Sequence, residues 1–180
     1  MKRRRRIAIA AVFAALAALV APEFGRYAAE RRVGDATSAF QSLLEAPADA
    51  RTTSNILAVG ELGLSAAPAL PADPRPWIIG GSAYLVTRQP ERALQNYWEA
   101  LRTGERAEID LNLGRAYAMG GRPDDSRAAL LRAGWVSPEI LASLPEATRA
   151  PLVARVAELS RELAQGRLTA PPPLPEPERR

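Results

Sequence analysis

The chain has no cysteine and no histidine, and its one lysine is Lys2. Lacking cysteine, it has neither a disulfide framework nor a lipobox-type lipid anchor, and thiols give no reading of its redox compartment. Lacking histidine as well, it is without the usual Ser-His and Cys-His nucleophile arrangements and the zinc cages built from these ligands. A mechanism run on carboxylates alone, as in glycosidases, needs two acids held across a cleft, whereas the acids here are scattered over helix faces. Gly80-Gly81 and Gly120-Gly121 lack the spacing and the lysine of a phosphate-binding loop, and read as close packing and a turn. The expectation is a protein that is not an enzyme and uses no cofactor or metal. The shortage of lysine beside many arginines and alanines is the bias of GC-rich coding, for which a bacterial source is the natural inference.

Charge is present but unevenly spread. The formal charge is +4 over 180 residues, yet five positive charges belong to Lys2 and Arg3 to Arg6, and setting them aside leaves −1. A duplex-binding face needs several phosphate-neutralising side chains gathered together, and the remaining arginines are interleaved with Asp and Glu. Nucleic acid is therefore not expected as a partner. The length suits one globular unit with an N-terminal segment and a tail.

The basic block precedes an uncharged run from Ile7 to Pro22, the pattern of a membrane-targeting segment. Those sixteen residues would rise about 24 Å as a helix, short of a hydrocarbon core of roughly 30 Å unless flanking arginines snorkel. An uncleaved anchor and a cleaved signal peptide both fit. Ala15-Leu16-Ala17 is the best small-x-small cleavage site and leaves a brief apolar region, and Pro22 directly follows the alternative at Ala21. Phe24 and Tyr27 could mark the far interface, which favours the anchor. The positive-inside rule puts the body across the inner membrane, in the periplasm of a Gram-negative cell, with a secreted or soluble periplasmic form as the alternative. Residues 1–22 are thus assigned to this segment.

Helical patterning dominates from Gly34 to Gly166. Asp35 to Glu45 carries Ala39, Phe40, Leu43 and Leu44 at helical spacing, while Gly60 and Gly63 weaken a helix over 52–66. These front helices, a cap or a degenerate hairpin, make up 23–73 with a proline-rich connector from Pro68 to Pro76. Beyond it, Asp73-Pro74, Pro90 and Pro123 each open a helix, and Asp124 and Asp125 fall where carboxylates favour a helix N-terminus. Gly81, Tyr84, Pro90, Ala93, Tyr97 and Ala100 recur 33 residues later as Gly114, Tyr117, Pro123, Ser126, Leu130 and Ala133. Small residues at such positions let paired helices approach, and the large ones fill the space left.

This constellation resembles the tetratricopeptide repeat family over about residues 74–138. Asn112-Leu113-Gly114-Arg115-Ala116-Tyr117 with Gly121 and Pro138 forms one copy, and Trp77, Gly81, Tyr84, Ala93, Tyr97 and Ala100 the other. The copies depart from the pattern at Gly80, Glu105 and Asp110, the last standing where the first copy has Trp77. The resemblance implies an all-α fold of stacked antiparallel helical hairpins, a TPR-like α-solenoid behind an N-terminal transmembrane or signal helix. Capping helices are expected over 139–166, including Ala147 to Gln165 with Leu152, Val156, Leu159 and Leu163 on one face. A disordered proline-rich tail follows over 167–180, either a solvated spacer or a ligand for a proline-reading domain.

By the same resemblance the first helix of each hairpin lines a groove for a peptide or partner helix. The lining would be Ile78, Ile79, Ser82, Leu85 and Val86 from one copy and Glu108, Leu111, Asn112, Arg115 and Met119 from the other. Asn112 matches a position used to grip a C-terminal carboxylate, but Ile78 and Ser82 replace the Lys and Asn of that mode. Burial of the apolar members against the front helices fits equally well. The function implied is a non-enzymatic interaction scaffold or assembly factor with a protein or peptide partner in an envelope complex.

Overall fold

The computed structural model describes the backbone of residues 2–175 and the side chains of Ala18 and of residues 20–175. Among the described residues the architecture is all-helical, without a strand. The elements are α1 (Lys2–Glu45), α2 (Thr53–Leu64), a 3-10 turn (Ala67–Ala69), α3 (Arg75–Val86), α4 (Pro90–Arg102), α5 (Ala107–Met119), α6 (Pro123–Val136), a second 3-10 turn (Pro138–Ser143) and α7 (Glu146–Ala164). Consecutive helices pack on each other, as short connections dictate for neighbours in sequence.

The first helix runs unbroken through Pro22 and Gly34, so the segment expected at 1–22 and the front helix expected from Asp35 share one backbone helix. Side chains of the basic block, and of the apolar run as far as Ala17, lie outside the described residues. Among those that are described, no helix is long and apolar enough to cross a membrane. Phe24 and Tyr27 are exposed. Packing begins at Ala29, Val33 and Ala36, fully buried at helical spacing against Ala66, Leu70 and Ile79. The apolar set expected to pack, Ala39 to Leu44, is only half-buried or exposed.

Glycines that weaken α2 as an isolated helix allow it to press on α3. A Cβ at Gly60 would lie 2.6 Å from the Cβ of Ala83, and one at Gly63 would lie 3.0 Å from Ile79 Cγ2. Thr52 caps the helix, its hydroxyl accepting from the Asn55 amide at 3.2 Å. At the start of α3 the Asp73 carboxylate accepts from the Arg75 amide at 2.9 Å, so proline and acid open this helix together.

The two hairpins that follow are built alike. In α3–α4 a Cβ on Gly81 would meet the Tyr97 ring at 2.8 Å; in α5–α6 one on Gly114 would meet Leu130 at 2.6 Å. Their turns match as well. The Gln89 amide donates to the Tyr84 carbonyl at 2.8 Å and the Arg122 amide to the Tyr117 carbonyl at 2.9 Å. Arg88 and Gly121, again 33 positions apart, take left-handed φ of 58° and 73°. Between the hairpins, Tyr97, Ala100, Ile109, Leu113, Ala116 and Tyr117 form the main core, and Trp98 Nε1 donates to the Tyr117 hydroxyl at 3.1 Å.

Beyond α6, Gly134 repeats the close approach, facing Leu141 and Val156. Leu152, Val156 and Leu159 of α7 are buried as expected, whereas Leu163, near the end of the helix, is exposed. Part of the tail expected to be unpacked, residues 172–174, folds back, and residues 176–180 lie outside the described residues. Pro172 is buried, its carbonyl accepts from Arg132 Nη1 at 3.0 Å, and Leu174 joins the main core. Proline fixes an extended backbone in advance, so docking it sacrifices little chain entropy.

Candidate partner-binding surface

Helices α3 and α5 touch, and between them carry the ten residues expected to line a groove. The ten divide by what covers them. On α3, Ile79 belongs to the core formed with Ala29, Val33, Ala66 and Leu70. Ile78 and Leu85 are half-buried against the main core, Ser82 lies 3.1 Å from the Tyr97 hydroxyl, and Val86 is exposed. On α5, Leu111 is core, packed with Leu130, Ala133, Leu141 and Leu152. Glu108 is exposed and pairs with Arg106 at 3.7 Å. Asn112 accepts from Arg115 Nη1 at 3.2 Å, and Met119 is exposed. The front helix covers one end of the face and the second 3-10 turn the other, which is why an isoleucine and a leucine leave the surface.

A larger concavity lies at the C-terminal end. It has a volume of about 580 Å³ between α5–α6 and α7, within the range of ligand-binding clefts. Its walls include Leu130, Leu131, Leu144 and Leu152, and Arg115, Arg127 and Arg155 stand around it with no carboxylate in the lining. Of the expected groove residues only Arg115 belongs to it. Sequence reasoning missed the rest, although Pro138 and Pro145 do signal that no full-length helix can follow α6 directly.

One buried polar group stands apart from both surfaces. Asp110 is fully buried, and among the described residues neither of its carboxylate oxygens has a hydrogen-bond donor. Burial, reinforced by the negative charge of Glu105 and by the hydrogen bond that a protonated Asp110 donates to it, and opposed by Arg132, pushes its pKa up to about 7. Glu105 is held below the usual carboxylate range by its hydrogen bonds from Arg132, which Coulomb attraction supplements against the effect of burial. Arg132 grips Glu105 through two nitrogens while its third donates to Pro172, so one guanidinium joins the α4–α5 connection, α6 and the tail. Tyr97 is likewise displaced, to about 12, chiefly by burial.

Asp124 and Asp125, in the first turn of α6, pair with Arg127 at 3.7 Å and Arg122 at 2.7 Å. Among the described residues no three acids gather as a metal site. No protein-family model, curated protein or solved structure matches the chain.

Proposed function

We propose that this chain is a TPR-like, non-enzymatic interaction scaffold, tethered to the inner membrane through its N-terminal segment and offering its helical body to a protein partner in an envelope complex. The observation that carries the reading is the duplicated hairpin. Gly81 against Tyr97 and Gly114 against Leu130 occupy matching places, and each hairpin turns through a left-handed residue at the same position. Stacked hairpins present continuous faces rather than an enclosed catalytic cleft, and such faces serve as docking platforms. The half-buried Ile78 and Leu85 with exposed Val86 and Met119 supply apolar contact on one of them.

Affinity capture of the full-length chain from solubilised membranes tests this. A stoichiometric envelope protein, lost from a Val86→Glu/Met119→Glu variant or from variants in the C-terminal cleft, is the expected result. Repeated captures without a partner would remove the scaffold reading. The brief apolar run supports a second reading, a secreted soluble module made by cleavage. Intact mass of the native product separates the two: the full mass for an anchor, a start near Ala18 for a signal peptide.

A further inference from the structure

The cleft between α5–α6 and α7 has a composition that selects among partners. We propose that it receives an acidic, amphipathic peptide segment, which lays its apolar face on Leu131, Leu144 and Pro151 and directs carboxylates to Arg115, Arg127 and Arg155. This rests on the scaffold reading above and adds to it where the partner binds and what chemistry it carries.

Three observations support that occupant. Where a further full-length helix would extend the stack, the chain has only the turn Pro138–Ser143, and α7 packs on α6 and on that turn, leaving the cleft open between them. A helical segment laid into an apolar groove restores the missing packing. The charge in the lining itself is of one sign, three arginines and no acid, with the acids that pair two of them lying outside it. Finally, those arginines are available. Arg115 binds the neutral Asn112 and Ser143, at 3.2 and 3.1 Å. Arg127 pairs with Asp124 at 3.7 Å between exposed side chains, and Arg155 with Glu158 and Glu162 along the surface of α7. Exposed pairs of this kind contribute little and exchange readily for a carboxylate brought by a ligand. Because the guanidinium groups come from three different helices, they match several carboxylates on one segment better than a single small anion.

The test begins with a phage-displayed random peptide library panned against the full-length chain in detergent micelles. Selected peptides are then labelled and titrated by fluorescence anisotropy. The expected winners combine Asp or Glu with Leu or Phe, and weaken as salt is raised. Arg115→Glu/Arg127→Glu/Arg155→Glu should lower their affinity by about tenfold or more. Ala118→Trp, which fills the cleft without altering its charge, should also abolish binding, and circular dichroism would establish that both variants keep their helices. Selection of no peptide, selection of peptides without acidic residues, or undiminished binding by both variants would overturn the proposal. Peptides lost on Val86→Glu/Met119→Glu but retained by both cleft variants would overturn it while leaving the scaffold reading standing.

Discussion

A buried carboxyl without a donor has one inexpensive state, the protonated one, and Asp110 is in that position. Its folded pKa is raised to about 7 from an ordinary value of 3.8. Between those values the unfolded chain releases the proton while the folded chain retains it, so stability should fall as pH rises from about 4 to 7. Thermal melts across that window should show this decline, and Asp110→Asn should flatten it; equal slopes in both proteins would refute the assignment. In the sequence Asp110 stands out only as a departure from the repeat, since Trp77 occupies the matching position. That both carboxylate oxygens are enclosed without donors is not legible there, because Glu105 and Arg132 approach only when α5 and α6 pair. A second residue-scale prediction concerns Arg88, whose φ of 58° lies where L-residues with side chains are disfavoured. Arg88→Gly should raise stability by about 0.5–1 kcal/mol, read as a higher urea midpoint at unchanged slope.

Glycine means opposite things in different elements of this chain. Gly34 sits in α1 with no atom near the place of its missing Cβ, so Gly34→Ala should stabilise by about 0.5–1 kcal/mol through helix propensity alone. Gly114 sits in α5 with Leu130 at 2.6 Å and the Ser126 carbonyl at 3.2 Å from that place, so Gly114→Ala should destabilise by about 1–3 kcal/mol. Chemical denaturation of the two variants side by side checks both signs. Helix propensity disfavours glycine equally at both sites, and only the spacing of 33 residues distinguishes Gly114 as a packing position. Where no repeat supports them, as at Gly60 and Gly63, glycines look in sequence like weaknesses in a helix. Their role follows only from α3 lying across them. Proline and aspartate are better guides, because a missing amide and a capping carboxylate act within a few residues of themselves; Pro90 and Pro123 begin α4 and α6 as the sequence indicates.

Across the whole molecule the tail is the element whose placement departs furthest from expectation. Removing residues 171–180 exposes the core contact of Leu174 and leaves Arg132 without the Pro172 carbonyl. The truncated chain should melt at a lower temperature and exchange amide hydrogen faster in α4 and α6; an unchanged melt would show the tail contact to be worth nothing. By itself the sequence indicated the helices from Arg75 to Val136, the starts of α3, α4 and α6 to within a residue, and the duplication, because period, caps and turn residues are local properties of the backbone. Tertiary structure alone decided which apolar residues of α3 and α5 stay at the surface, where the tail lies, and that an arginine-rimmed cleft opens beside α7. Those features depend on which segments meet after the chain closes on itself. Residues far apart in sequence, such as Arg132 and Pro172, become neighbours only through the packing of all the helices between them.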